Sequence, residues 1–190
     1  MDGMDGDDPD APLVERARRG DRDAFTALVE RHRDAVYGLC LRSLGDAHEA
    51  DEVTQIVFVR VFRRIETFRG QARFRTWLYR VTVNPCRNRA RDVARRRTEP
   101  LEDEAPAPGG DALARLIERD ERDRVHRAIR ALPEKQRWVV ELRLGRDLSY
   151  REIASILGAR EGTVKVNYHH AIRKLRAAIG SVREGSGRAL

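Results

Sequence analysis

Apolar residues recur every three or four positions through most of the chain, with polar residues between them. This spacing predicts a short helix around Leu13–Ala17 and a long helix that runs from about Phe25 to Leu44 and ends at Gly45. Ala50 to Ile65 continue the pattern with Phe58 and Phe62 widening the apolar stripe, which predicts a third helix of about five turns. A strand as long as this third segment would be unusual. The pattern therefore predicts an all-α fold.

A polar segment with a glycine, residues 68–74, interrupts the helical pattern before it resumes at Thr76. This segment predicts a loop between two packed helices. Pro85 lacks an amide proton and disfavours helical dihedrals at Asn84, so we expect a kink or a restart there. The segment that follows is rich in arginine as far as Arg97.

Residues 98–111 carry three prolines, two adjacent glycines and five acidic residues without periodicity, which predicts a flexible linker. The linker divides the chain into two small helical domains, 13–97 and 112–182. Residues 1–12 and 183–190 have little to bury, and we expect both to be disordered tails, the first of them acidic.

The second domain ends in a predicted helix-turn-helix. Ser149 and Glu152 have the spacing of a capping box, and Gly158 suits a left-handed stop after the helix that the box begins. The next helix is predicted from about Glu161 to Ile179. At 100° per residue its core side holds Val164, Tyr168, Ala171, Ile172 and Leu175. The side chains on the opposite side can donate and accept hydrogen bonds and contact a thymine methyl group, as those of a recognition helix do.

Composition agrees with a nucleic-acid partner. The formal net charge is +7 with a pI of about 10.1, and all but three of the 38 basic residues are arginine. Arginine matches phosphates and base edges bidentately, although a GC-rich genome also raises its frequency. Cys40 and Cys86 lie too far apart in sequence to indicate a zinc site or a disulfide framework, and we expect no metal or cofactor.

The amino terminus is acidic, and no apolar run approaches the length of about 20 residues that a membrane span needs. We therefore expect a cytoplasmic protein without membrane insertion.

Five stretches of the chain resemble one protein family. Residues 50–58 and 68–80 resemble sigma region 2, and residues 132–137, 148–154 and 162–165 resemble sigma region 4 in the same order. A short linker stands where other sigma factors have a third domain, which is typical of the extracytoplasmic-function (ECF) group of RNA polymerase sigma factors. The resemblance implies a non-enzymatic factor that binds core RNA polymerase at its β′ clamp and β flap and promotes transcription initiation. It also implies a role in a stress or envelope response and control by an anti-sigma partner.

The resemblance assigns three sets of site residues. The polymerase-binding set is Asp51, Glu52, Gln55 and Phe58. The set for the minus-10 element is Phe68, Arg69, Gly70, Gln71, Arg73, Phe74, Trp77, Arg80, Asn84, Arg87, Asn88 and Arg91, with a flipped base captured by the loop. The set for the minus-35 element is Lys165, Val166, Asn167, His169, His170 and Arg173.

Three positions depart from the family pattern. Ile56 stands where glutamate is frequent, Pro85 interrupts a segment that relatives keep helical, and Arg160 replaces the usual serine cap of the recognition helix. Loss of such a cap costs about 1 kcal/mol. The promoter sequence does not transfer from relatives, because Val166, His169 and His170 also differ from the usual residues.

Two other classes of function remain open. The second domain alone is consistent with an autonomous helix-turn-helix regulator, although such proteins dimerise and the sequence offers no dimer interface. A nuclease would need a metal held by acidic residues such as Asp46, Asp51 and Glu52, which do not converge on one helical face with further ligands.

Overall fold

The computed structural model describes residues 8–96, 124–144 and 148–186, and all regular structure in these ranges is helical. The helices are α1 (Ala11–Arg18), α2 (Arg22–Leu44), α3 (Ala47–Arg64), a 3₁₀ turn (Ile65–Thr67), α4 (Phe74–Arg96), α5 (124–130 in its described part), α6 (Glu134–Leu144), α7 (Tyr150–Leu157) and α8 (Glu161–Ser186). The described residues divide into two compact units, the first containing 8–96 with 151–159 and the second the remainder.

The helices of the first unit begin and end at side chains that suit their termini. Asp21 precedes α2 and its carboxylate accepts a hydrogen bond from the Ala24 amide at 3.0 Å. Asp46 caps α3 in the same way, accepting from the Glu49 amide at 2.9 Å. Gly45 ends α2 in the left-handed region with φ of 73°, where a side chain would be strained. The turn between α2 and α3 is therefore fixed by local chemistry.

Helices α2, α3 and α4 pack around one apolar core. Its largest fully buried side chains include Leu28, Val36 and Leu39 from α2, Val53 and Val57 from α3, and Phe74, Leu78 and Tyr79 from α4. Leu28, Val36, Val53, Val57 and Leu78 are positions that the helical spacing assigned to the core, whereas Leu39, Phe74 and Tyr79 were not. The prediction of helices packed on either side of a loop is confirmed for α3 and α4.

Pro85 lies inside α4, which continues from Phe74 to Arg96 as one helix. The predicted restart at Asn84–Pro85 was therefore wrong. A proline in a helix removes one backbone hydrogen bond and costs about 3 kcal/mol when nothing compensates. Pro85 and its neighbour Cys86 are buried, so burial of apolar surface offsets part of that cost.

The amino-terminal segment is ordered from Asp8 onward, which corrects the prediction that residues 1–12 form a disordered tail. The Asp8 carboxylate accepts a hydrogen bond from the Phe74 amide at 2.7 Å and so satisfies the start of α4. The Asp10 carboxylate is buried against Arg31 and His32 of α2. Acidic residues that looked like a solvated tail thus anchor the chain. Residues 1–7 lie outside the described range.

The second unit has its own core, formed by α5, α6 and α8. Ile129, Leu132, Val140, Ala171 and Leu175 are buried together, and Ala128, Tyr168 and Ile172 pack against them. Trp138 and Leu142 of α6 are also buried.

One predicted boundary, the end of the last helix, differs from the structure, and others fall outside the described residues. Helix α8 continues to Ser186, beyond the end predicted near Ile179 and into the segment predicted to be a tail. The predicted linker 98–111, the beginning of the second domain at 112–123 and the last residues 187–190 lie outside the described residues.

Candidate functional site

The exposed side of α8 carries most of the residues proposed for base readout. Lys165, Val166, His169, His170 and Arg173 are exposed, and Asn167 is half-buried at the edge of this face. The opposite side is buried through Val164, Ala171 and Leu175. Because one side is fixed in a core, the other has a defined orientation and is free to enter a groove. We call this exposed set the α8 face.

A tight turn precedes the α8 face. Helix α7 ends at Leu157, Gly158 follows with φ of 62°, and α8 begins at Glu161. The Ala159 amide donates to the Ala154 carbonyl at 3.0 Å, which closes the end of α7. The Arg160 carbonyl accepts from the Val164 amide at 3.1 Å, yet arginine has no side-chain acceptor for a cap. The helix-turn-helix predicted from the capping box and Gly158 is thus present, and the Arg160 side chain cannot cap its second helix.

Lys165 is held in position by two neighbours. Its ammonium lies 2.8 Å from a Glu161 carboxylate oxygen one turn earlier and 5.9 Å from the centre of the Tyr150 ring. The hydrogen bond to Glu161 raises the pKa of Lys165. Tyr150 also stacks edge-on to Tyr168 at 5.7 Å and lies under the Arg143 guanidinium at 5.1 Å. Tyr150 was not predicted as a support for this face, because its contacts join residues from three helices.

The loop before α4 exposes polar side chains above an aromatic base. Arg69, Gly70, Gln71 and Arg73 are exposed, whereas Phe68 and Phe74 are buried. The two phenylalanines form a ring cluster with Trp77, whose centroid lies 5.2 Å from Phe68 and 5.8 Å from Phe74. Both rings are buried and support the loop from below, and the role of Phe68 and Phe74 in binding the minus-10 element stays a prediction.

An open cavity lies beside this loop. Its lining includes Phe68, Arg69 and Gln71 of the loop, half-buried Trp77 and the exposed Arg80 of α4. The cavity combines an aromatic edge with arginine and amide donors, which is the chemistry that binds an unstacked base and its phosphate.

A polar stripe continues from the cavity along α4. Arg80, Asn84, Arg87, Asn88 and Arg91 are each three or four positions from another member of the set, so they share one side of the helix. Arg87 is half-buried and the other four are exposed. Uninterrupted helix through Pro85 is what aligns the residues before and after it. We call these five residues the α4 stripe.

The four residues predicted to bind polymerase differ in accessibility. Phe58 is only 9% exposed and packs in the core, and its predicted contact with polymerase stays a prediction. Asp51 pairs with Arg33 at 3.2 Å and accepts a hydrogen bond from the Gln55 amide at 2.7 Å, and all three are exposed or nearly so. Glu52 pairs with Arg89 of α4, which fixes its position between the two helices.

A neighbouring apolar patch on α3 was missed by the sequence analysis. Ile56, Val59 and Phe62 are 39, 50 and 53% exposed. The helical spacing had assigned Ile56 and Phe62 to the core stripe. The sequence of α3 did contain a signal for this patch, because it has more apolar residues than one buried side of a helix can hold. With Gln55 and Glu52, these residues form a surface with an apolar centre and a polar edge, here called the α3 patch.

The acidic residues considered for a nuclease have other partners. Asp46 caps α3, Asp51 pairs with Arg33 and Glu52 pairs with Arg89. Across the ranges that the structure describes, no group of three or more His, Cys, Asp or Glu side chains could hold a metal ion. No helix in these ranges is both long and apolar enough to cross a membrane.

A helix-turn-helix with an exposed, basic second helix, together with an arginine-rich stripe on α4, defines a DNA-binding transcription protein. Comparison with known families is consistent with this class. Residues 28–97 match the model of sigma-70 region 2, and residues 122–175 match that of sigma-70 region 4.

Whole-chain relatives give the same result. The RNA polymerase sigma-H factor of Pseudomonas aeruginosa is 36% identical over 90% of this chain and 93% of its own length. The ECF RNA polymerase sigma factor SigW of Bacillus subtilis is 31% identical over 86% of this chain and 92% of its own. Among solved structures, CnrH in complex with the cytosolic domain of CnrY superimposes with a TM-score of 0.70 at 26% identity, covering 90% of this chain and 97% of that one.

The chain belongs to the extracytoplasmic-function group of the sigma-70 family. It is a sigma factor for DNA-templated transcription initiation, as the sequence analysis predicted.

Proposed function

We propose that this sigma factor divides its work among three surfaces: the α3 patch binds core RNA polymerase, the loop and α4 stripe bind the minus-10 element, and the α8 face binds the minus-35 element. The observation that carries the proposal is the α8 face, where exposed polar and basic residues lie opposite a side fixed in a core. The other two surfaces are likewise exposed sets on helices whose remaining sides are buried.

The α3 patch has the composition of a protein interface. Three large apolar side chains are exposed at its centre, and Asp51, Glu52 and Gln55 supply polar groups around them. Exposed apolar patches rimmed by polar groups mark protein interaction sites, and the fully buried centre supplies most of the binding energy. Ile56, at the position where relatives often have glutamate, therefore adds apolar area rather than a charge.

The loop and α4 stripe fit the opened strand of a promoter. Arg69, Gln71 and Arg80 line the cavity beside Trp77, which can receive one unstacked base. Asn84, Asn88 and Arg91 then follow along the helix, where they can contact base edges and phosphates upstream. Unpairing a base costs a few kcal/mol, so a fitted pocket is the physical requirement for opening.

The α8 face fits the major groove. Lys165 and Arg173 can contact phosphate or guanine, Asn167 can pair with adenine, and Val166 can touch a thymine methyl group. A neutral histidine ring can both donate and accept a hydrogen bond, so His169 and His170 are compatible with more than one base. Their presence supports a minus-35 preference distinct from that of relatives.

We further infer that the chain is not an enzyme and acts in the cytoplasm, where core polymerase and promoter DNA are present. A sigma factor supplies binding energy for positioning and strand separation, and the covalent chemistry belongs to the polymerase. CnrH was solved with a cytosolic domain of a second protein. An anti-sigma partner that covers the α3 patch would keep this factor from polymerase until a stress or envelope signal releases it.

Three variants test the division of work by separate readouts. Phe62→Ser in the α3 patch should weaken binding to core polymerase, with Val125→Ser as the control because Val125 is an exposed apolar residue outside the patch. Gln71→Ala in the loop should leave polymerase binding intact and reduce permanganate reactivity of thymines at the minus-10 element. Lys165→Ala should reduce initiation only at promoters that contain a minus-35 element.

Two outcomes would contradict the proposal. If Phe62→Ser and Val125→Ser bind polymerase equally, the α3 patch is not the polymerase surface. If the protein without polymerase binds promoter DNA tightly and no variant changes initiation, an autonomous regulator replaces the proposal.

A further inference from the structure

Two cysteines from distant parts of the sequence meet inside the first unit. Cys40 on α2 and Cys86 on α4 are 46 positions apart, both are fully buried, and their Sγ atoms lie 3.2 Å apart. Both are free thiols joined by a hydrogen bond. They are the chain's only cysteines, so no other thiol of the same molecule competes for either of them.

The surroundings favour the thiolate form of Cys40. The hydrogen bond from Cys86 lowers the pKa of Cys40 below its ordinary value despite the opposing effect of burial, and Thr54 and Arg42 contribute in the same direction. The thiolate is the nucleophilic form of cysteine, so a lower pKa increases the reactive fraction. The Sγ atom of Cys86 is close enough to react with a product formed at the Sγ atom of Cys40.

We propose that Cys40 and Cys86 form an oxidisable dithiol, a modification site at which a peroxide converts two thiols into one reversible disulfide between α2 and α4. A disulfide requires sulfurs about 2.05 Å apart, so the two Sγ atoms must approach by about 1.2 Å. Small rotations of the two side chains within a packed helix pair can supply a movement of this size. The distance therefore favours bonding within one molecule over bonding between molecules.

The reaction is balanced in two steps. The Cys40 thiolate attacks one peroxide oxygen, the O–O bond breaks, and the departing hydroxide takes a proton to form water, leaving a sulfenic acid. The Cys86 thiolate then attacks the Cys40 sulfur, the S–S bond forms and the S–O bond breaks, and the departing hydroxide takes the proton that the Cys86 thiol lost, which gives a second water. Two thiols have lost two electrons and two protons, and one hydrogen peroxide has become two waters.

The disulfide would join α2 and α4, two helices of the first unit, and α4 carries the α4 stripe. Cys86 lies on α4 between Asn84 and Arg87 of the α4 stripe, whereas Cys40 lies on α2. Closing a loop of this length restricts the unfolded chain and should raise the thermal midpoint of the first unit. The inference concerns thiol chemistry and does not depend on the roles proposed for the DNA-contacting residues.

The experiment compares the full chain before and after treatment with hydrogen peroxide. Denaturing mass spectrometry should show a loss of two hydrogen atoms, no thiol available to an alkylating reagent, and a non-reduced peptide that contains both cysteines. Calorimetry should show a higher midpoint that returns to its first value after dithiothreitol. Cys40→Ser and Cys86→Ser, each with one remaining thiol, should show neither the mass loss nor the reversible shift.

Three outcomes would overturn the proposal: two alkylatable thiols after treatment, a mass gain from sulfinic acid at either cysteine, or disulfide-linked dimers. The wild-type result decides the matter without the variants, so poor folding of a serine variant leaves the test valid. Because the readouts need neither polymerase nor promoter, a failure here is distinguishable from a failure of the three-surface proposal.

Discussion

Replacing Asp10 with alanine should destabilise the first unit, because this buried carboxylate joins the amino-terminal segment to α2. Its Oδ2 lies 2.7 Å from Nε2 of His32, and its Oδ1 accepts a hydrogen bond from Arg31 at the same distance. The Asp10 side chain is only 3% exposed, and that of His32 is 11% exposed. The change therefore leaves a buried ring nitrogen without its partner.

The magnitude follows from these two contacts. Hydrogen bonds to charged groups contribute about 1.5–3 kcal/mol each, but Arg31 is half exposed and regains water after the change. We expect a net loss of about 2 kcal/mol, since the full value applies only to the contact with His32. For a unit of this size that loss corresponds to a fall in Tm of about 8–16 °C.

The effect has a defined pH dependence. Burial raises the pKa of Asp10, but the hydrogen bonds from His32 and Arg31 together lower it below its ordinary value of 3.8. A carboxylate with a depressed folded-state pKa contributes stability that is complete above the unfolded pKa and is lost as pH falls through the folded one. The Asp10 contribution should therefore persist at neutral pH and disappear in acid, at pH values below about 3.8.

Calorimetry and urea unfolding of the full chain measure the effect, with Asp34→Ala as the matched control. Asp34 is an exposed carboxylate on α2, two positions from His32. Equal Tm values for Asp10→Ala and Asp34→Ala would refute the reasoning, because the buried contact would then add nothing to stability.

Three further predictions follow from the structure. Asp46→Ala removes the cap of α3 and should cost about 1 kcal/mol, seen as a lower urea midpoint; an unchanged midpoint would show that water replaces the cap. Gly158→Ala meets no neighbouring atom but forces a side chain into positive φ, so it should destabilise the turn between α7 and α8 by about 1–2 kcal/mol without loss of packing, seen as a lower urea midpoint. Lys165→Ala should reduce the slope of log K against log salt for promoter binding by about 0.9, whereas Lys174→Ala should not change it.

Helical periodicity was sufficient to predict the fold and most of the core. The buried side of α8 and the end of α7 at Gly158 were predicted from spacing and glycine alone, since these depend on neighbours within a few residues. The same reasoning failed at Pro85, where burial compensates for the lost hydrogen bond. It failed again at Asp8 and Asp10, whose partners lie more than 20 positions away.

The candidate surfaces were predicted less completely than the fold. Lys165 and its neighbours followed from one helix and its period, but Phe58, Phe68 and Phe74 were assigned to surfaces by resemblance and are buried. Periodicity on α3 could not decide which apolar residues leave the core. That choice depends on how α2 and α4 pack on α3, and it left Val59 and Phe62 exposed.

Run-off transcription by core RNA polymerase is the most direct test of the central claim. The full chain is added to core polymerase on a promoter library and compared with the Lys165→Ala, His169→Ala double variant and with the Lys174→Ala control. We predict specific initiation with the wild type and the control, and its loss with the double variant at promoters that share a minus-35 element. Initiation that is absent with all three proteins, while the chain binds the same DNA without polymerase, would contradict the account.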